Sequence, residues 1–299
     1  MSLSRSARFL ISGWLALAAG TAHAADEPAA APAEAAPAAE VSAHPSAVQA
    51  LGAILARAQK DGDGPRVVAF GEYHETVDPK KGKGSGAPSA LRHFTDQLLG
   101  VVASRASDLV LETWITDGNC GKKEAVAVQD VQKTTKRPET TENELVTLVK
   151  QAKSQGIQPH ILKLSCEDYN SLLGSGEVDY EKLLKLITDL LYKKITEVAK
   201  RRSEAGETRF VMVYGGAVHN DLVPKSELAS YSFGPQAEKS FPGRYVEIDL
   251  YVPEYIERDP SMTGEPWYAQ YKKRAKPAQA AVVRRSAGSY ILIFPRSKR

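Results

Sequence analysis

The 299-residue chain predicts an α/β fold: a mostly parallel sheet flanked by helices, with an antiparallel edge near the C-terminus. Three observations carry this expectation. Short runs rich in Val, Ile and Leu alternate with longer segments of helical period, the order of a sheet covered by crossover helices. The connections are long enough for right-handed crossovers. The last two apolar runs, "RYVEIDLYV" and "SYILIF", have no clear helix between them, so an antiparallel edge is expected there.

Taken in order, "SAVQALGAILARAQK" places Val48, Leu51, Leu55 and Ala58 on one helical face. "RVVAF" is a first strand ending at Gly71. After a Gly/Lys-rich loop, "SALRHFTDQLLGVVASRA" directs Leu91, Phe94, Leu98 and Val101 inward. "DLVLETW" is a second strand stopping at Glu112. A polar insertion spans 115–139. Thr141 and Glu144 then have capping-box spacing ahead of a helix carrying Leu145, Leu148, Val149 and Ala152 to Gly156. "IQPHILKLS" is a third strand, with Pro159 near its start. "DYEKLLKLITDLLYKKITEVAKRR" is the longest helix, its stripe formed by Leu184, Ile187, Leu191, Ile195 and Val198. "RFVMVYGG" is the fourth strand. "RYVEIDLYV" alternates Val246, Ile248, Leu250 and Val252 with charged neighbours, which sets Glu247 and Asp249 on a solvated face.

The chain's first residues belong to targeting rather than fold. Residues 1–24 pair Arg5 and Arg8 with an apolar stretch from Phe9 to Gly20 and a small-residue site at Ala22-His23-Ala24, the layout of a secretory signal peptide. No lipid-attachment cysteine follows it, so a periplasmic or secreted protein is expected. Residues 25–47, almost all Ala, Pro and Glu, read as a disordered spacer with nothing large to bury. That leaves 48–299 as a single domain. Nothing after the signal is long and apolar enough to span a membrane. The formal charge of +3, two of it from Arg5 and Arg8, leaves no basic excess to hold nucleic acid. In an oxidising compartment Cys120 and Cys166 are expected to pair, contributing roughly 4 kcal/mol on the chain-entropy model.

The strand ends carry the chemistry. Ligands of parallel sheets sit beyond the carboxyl ends of the strands. Here "VVAFGEYHET" delivers Glu72 and His74 after the first strand, Glu112 closes the second, and "RFVMVYGGAVHND" delivers His219 after the fourth. Gly71 and the Gly215–Gly216 pair allow sharp turns and close approach of a ligand. Other groups have plainer readings. His93 is a half-exposed helical residue, His160 is structural, and Asn220 and Asp221 cap the helix of "LVPKSELAS". Asn220 is also placed to hold a ligand or orient His219. HExxH, GxSxG and phosphate-loop patterns are absent.

Together, "FGEYHE", "LVLETW" and "YGGAVHN" resemble the EreA/ChaN-like superfamily, which takes in the Tiki and TraB proteins. The resemblance implies two GxxH motifs and glutamates at the carboxyl edge of an α/β sheet, and so implicates Glu72, His74, Glu112 and His219. Its branches include macrolactone esterases, metal-dependent proteases and a haem-binding uptake lipoprotein. The expected function is a His/Glu-dependent hydrolase acting on an ester or amide bond of a small molecule or peptide. His74 would activate water, Glu72 or Glu112 would partner it, and His219 would polarise the electrophile. The same four residues suit a divalent metal such as zinc, manganese or iron. The alternative is haem or iron binding without turnover, with His74, His219 or Tyr73 on the iron and Trp114 and Tyr214 lining a slot. Gly71, Gly216 and Asn220 would complete the ligand surface.

Overall fold

The computed structural model describes residues 39–61, 63–75, 85–116, 141–172 and 178–297. The expected signal peptide, residues 25–38 of the expected spacer, and Cys120 with its expected pairing to Cys166 lie outside the described residues. So does most of the insertion at 115–139.

Strand β1 (Glu40–His44) is built from residues whose composition suggested spacer. Their backbone pairs antiparallel with β7 along the register Glu40↔Arg284 to His44↔Ala280, and Val41 is buried. A sheet edge supplies the hydrogen bonds that such a segment lacks on its own. Ser46 then caps α1 (Ala47–Lys60), its hydroxyl accepting from the Gln49 N–H. Ala47, Ala50, Leu51, Ile54 and Leu55 form the buried stripe, while Val48, expected inward, is 42% exposed.

Strand β2 (Val67–Glu72) is buried throughout. The following helix changes pitch: α2 (Ala90–His93) leads into a π turn (Phe94–Leu98), where the Leu99 N–H reaches the Phe94 carbonyl, and then α3 (Leu99–Val102). The extra residue rotates the later face, burying Leu99 and Val102 and leaving Val101 only half-buried. Strand β3 (Ala106–Thr116) is followed by α4 (Thr141–Ser154), β4 (Gln158–Leu164) and α5 (Cys166–Leu172). In α4 the Glu144 carboxylate accepts from the Ser89 hydroxyl at 2.6 Å, tying this helix to the start of α2. Asp179 caps α6 (Tyr180–Glu204), which buries Leu183, Ile187, Leu191, Ile195 and Val198; Leu184 is half-buried.

After β5 (Phe210–Gly216) come the one-turn α7 (Ala217–Asn220), a 3₁₀ turn (Ser226–Tyr231) and α8 (Gly234–Ser240). Asn220 and Asp221 do not cap the 3₁₀ turn, whose N-cap is Lys225; Asn220 is instead buried against the sheet. Strand β6 (Tyr245–Tyr251) is joined to β7 (Ala280–Ser286) by α9 (Pro253–Ile256), α10 (Pro260–Thr263) and α11 (Pro266–Arg274), and β8 (Ser289–Ile293) ends the sheet.

The eight strands run β1-β7-β8-β6-β2-β5-β3-β4. Five neighbouring pairs are parallel, and the antiparallel edge is β1–β7–β8. Strands β6 and β8 are themselves parallel; the reversal comes from β7, "AAVVRRS", which lies between β8 and β1 and pairs antiparallel with both. Helices α1–α4 cover one face over Val68, Phe70, Leu109, Met212 and Ile248. Helices α5, α6 and α8 cover the other over Val67, Val110, Val211 and Tyr245, and a third apolar cluster beneath α10 and α11 gathers Tyr251, Trp267 and Tyr271. Glu247 and Asp249 lie on β6 between Tyr245 and Tyr251 and are 0% and 2% exposed, not solvated. Central strands have both faces covered, so alternation on β6 separates two interiors.

His160 is structural as expected. Its Nε2 lies 2.7 Å from Oδ1 of the fully buried Asp108, which also accepts from Arg202 Nε at 2.7 Å. Burial favours the neutral acid at Asp108, but the bonds from His160, Arg202 and Ser107 outweigh it and hold the carboxyl well below the usual carboxylate range. Such a depressed pKa stabilises the fold above the unfolded-state value, and the gain is lost as pH falls through the folded one. Asp108→Ala should therefore lower stability by about 3 kcal/mol at neutral pH. The deficit should shrink in strong acid, as urea-unfolding midpoints will report; a deficit that stays constant across that range would remove Asp108 from the account.

Candidate functional site

The carboxyl ends of β2, β5 and β3 are neighbours in the sheet, with β5 between the other two. In register, Gly71 and Glu72 of β2 stand opposite Gly215 and Gly216 of β5. Strand β3 pairs with β5 as far as Leu111↔Tyr214. On its other side, Leu111 pairs with Ile161 and Trp114 with Leu162, so Glu112 and Thr113 are extra residues in a bulge. A bulge re-aims side chains and ends pairing, and here it turns Glu112 over the end of β5.

Glycine makes that possible. A Cβ on Gly215 would stand 2.6 Å from Glu112 Oε2 and 2.8 Å from Glu112 Cβ, so the glutamate occupies the space a side chain would need. Glu112 Oε2 then accepts the Gly216 N–H, and its Oε1 lies 3.7 Å from His219 Nε2. At Gly216, a Cβ would be 3.4 Å from both Glu112 Oε2 and His74 Nε2. The two groups thus flank one point, separated by at most twice that distance. Glu72, His74, Glu112 and His219 all meet around Gly216.

Each imidazole is fixed through its Nδ1. His74 Nδ1 lies 2.7 Å from Glu72 Oε1, and the other oxygen of Glu72 accepts from the Tyr214 hydroxyl at 2.7 Å. Glu72 is 7% exposed, and its partner Tyr214 is packed at 4.9 Å against Phe94, which lies 4.8 Å from Phe70. Since a carboxylate only accepts, Nδ1 of His74 carries a proton, and Nε2 faces the Gly216 side. His219, 3% exposed, has Nδ1 at 3.0 Å from the Tyr231 carbonyl and 2.8 Å from the Thr188 hydroxyl. Thr188 Oγ1 also lies 2.8 Å from that same carbonyl. A carbonyl accepts only, so His219 also carries its proton on Nδ1. With the proton there, Nε2 donates only when the ring is doubly protonated.

Thr188 and Tyr214 were not singled out as site residues in these roles. The signal for Thr188 was a polar residue on the apolar stripe of a long helix. Tyr214 precedes the glycine pair and supplies a hydroxyl to Glu72 where a slot-lining ring was expected. Two expected residues are turned elsewhere. The Tyr73 ring packs 5.5 Å from Tyr251 and its hydroxyl donates to Asp259; burial, with that carboxylate behind it, pushes the phenol up and keeps it protonated. Trp114 is half-buried against the cluster under α6. Gly71 is needed for packing: its Cβ would meet Asp249 Oδ1 at 2.5 Å and Ala217 Cα at 2.7 Å.

Among the described residues no group of three or more His, Cys, Asp or Glu is arranged to hold a metal ion. Of the two residues expected to line a slot, Tyr214 is 2% exposed and Trp114 half-buried. Among the described residues no helix is long and apolar enough to cross a membrane.

No family model and no curated protein matches the chain. One solved structure, described as "The structure of the type III effector HopBA1", aligns over 72% of this chain and 87% of its own at 11% identity, with a TM-score of 0.34. A likeness that slight carries no argument about fold or activity.

The two glycines of β5 should respond differently to the same change. Gly215→Ala collides with Glu112 and should destabilise by about 1–3 kcal/mol. Gly216→Ala makes only ordinary contacts and should leave thermal unfolding within about 0.5 kcal/mol of the parent, while filling the point between His74 and Glu112. Equal melting temperatures for the two variants would show that Glu112 does not lie over Gly215.

Proposed function

We propose that the protein is an exported hydrolase of an ester or amide bond, working through two carboxylate-paired histidines. One observation carries the reading: His74 is held at Nδ1 by a buried carboxylate, its Nε2 and Glu112 Oε2 each stand 3.4 Å from one point over Gly216, and His219 Nε2 lies 3.7 Å from that glutamate. A base so oriented, beside a group able to donate to an oxyanion, is what hydrolysis of a carbonyl compound requires.

In this reading, water placed over Gly216 gives a proton to His74 Nε2 as its oxygen adds to the carbonyl carbon. Glu72 stabilises the imidazolium that forms, and Tyr214 keeps Glu72 from turning away. The imidazolium of His219, paired with Glu112, donates from Nε2 to the oxygen that gains charge. Collapse of the tetrahedral adduct expels the alcohol or amine, which takes the proton from His74. The products are a carboxylic acid and the leaving group, and no step passes through a metal. The resemblance of the GxxH stretches to the EreA/ChaN-like superfamily supports this assignment, and the layout of residues 1–24 supports export. Haem or iron binding has less to stand on, since the slot residues expected for it are packed or buried.

The test is a screen of the mature chain against p-nitrophenyl esters and acyl anilides, with and without chelator, and separately against hemin. His74→Asn should lower kcat/KM by about 10²–10⁴-fold with the circular dichroism unchanged. Glu72→Gln should lower kcat through misorientation of the ring while leaving KM close to the parent value. A hemin Soret shift abolished by His74→Ala, in a protein that turns over no ester or amide, would replace this reading with the binding one.

A further inference from the structure

His219 sits on a helix of four residues, too short to hold itself in place, so something else must fix α7 against the sheet. Asn220, 3% exposed and next to His219, is the residue that reaches the sheet. Its amide has two orientations: in one, Nδ2 donates to the Ala69 carbonyl and to Asp249 Oδ1, both at a long 3.4 Å; in the other, Nδ2 donates to the Ala217 carbonyl at 2.8 Å and Oδ1 accepts from the Gly71 N–H at 3.3 Å, and the shorter bonds favour the second. The amide atom facing Asp249 Oδ1 stands 3.4 Å from it, and in this orientation that atom is oxygen. Two oxygens facing one another with no hydrogen between them repel in a dry interior. A proton between them turns the contact into a bond.

We propose that Asp249 is a positioning residue for His219: an O–H on its buried carboxyl donates to Asn220, closing a clamp between β6, α7 and β2 at Gly71. The surrounding charges agree with this. Arg285 is the cation facing Glu247, Asp249 and Asp221 from β7, with the phenols of Tyr245 and Tyr251 on the same face. Glu247 takes most of that cation and also accepts the Leu222 N–H at 2.8 Å, so, although burial pushes its own carboxyl up to about 7, its charge is the better compensated of the two. Asp249 has Arg285 only at 3.3 Å. Burial first, and the neighbouring Glu247 second, push its carboxyl well above the usual range. The clamp also explains why position 71 is glycine, since a Cβ there would occupy the space of the Asn220 and Asp249 side chains.

This inference rests on the reading of His219 as a site residue only for its consequence; the proton on Asp249 is measured without any substrate. Infrared spectra of the full mature chain at neutral pH should show a carbonyl stretch of a protonated carboxyl that is absent from D249N. In ¹⁵N-edited spectra, D249N, isosteric and permanently neutral, should keep the slowly exchanging His219 Nδ1–H signal. D249A should lose that signal or speed its exchange by tenfold or more. An infrared spectrum without a protonated-carboxyl band would overturn the proposal whether or not D249A folds, and so would a D249N protein whose His219 signal is perturbed as much as that of D249A. Retention of both signatures in a protein with no hydrolytic activity would sink the functional reading and leave the clamp standing.

Discussion

The arrangement depends on one steric fact: at the ends of two adjacent parallel strands there are no side chains. Gly71 and Gly215 stand side by side in register, and each is filled from above by a polar group belonging to another element. Over Gly215 lies the glutamate that bridges β3 to the Gly216 amide; over Gly71 lie Asn220 and Asp249. Parallel strands bring their carboxyl ends to one rim, but ordinary side chains there would hold the polar groups apart. Removing two Cβ atoms lets β3 and α7 close on β5 and β2, and the two histidines come together as a result.

The support behind the rim is apolar on one face and charged on the other. Glu72 is backed by an aromatic column, Tyr214 on Phe94 with Phe70 beneath, packed by a helix whose π turn supplies the needed rotation. Behind Gly71 lies a group of acids around a single guanidinium, set on β6 between two apolar clusters. Buried charge is expensive and tends to be kept where it fixes a specific arrangement. A short helix bearing a functional histidine is a place where such fixing matters.

Much of the strand order and most helix positions could be read directly, because β-branched runs and 3.6-residue stripes persist over many residues. The misses fall where a short-range pattern was asked to report on distant neighbours. Alternation along "YVEIDLY" says that two faces differ; that the second face meets α7 and Arg285 and not water depends on β2 and β8 flanking the strand. Residues 40–44 look like spacer until β7 offers them a backbone ladder. The π turn, with its rotated stripe, has no marker in "HFTDQLL".

The sequence by itself determined the α/β class, the placement of Glu72, His74, Glu112 and His219 at strand ends, and the glycines beside them. These follow from local chemistry: apolar periodicity makes the element, while the glycines, expected to permit turns, lie inside β2 and β5 and serve close packing instead. Only the tertiary structure decided that Glu112 is swung by a bulge onto Gly216. It alone decided that Thr188 and Tyr231, distant in sequence, set the tautomer of His219, and that Tyr73 points away from the site. Such choices rest on which atoms meet across elements, and that depends on strand order and register, which no short stretch of sequence carries.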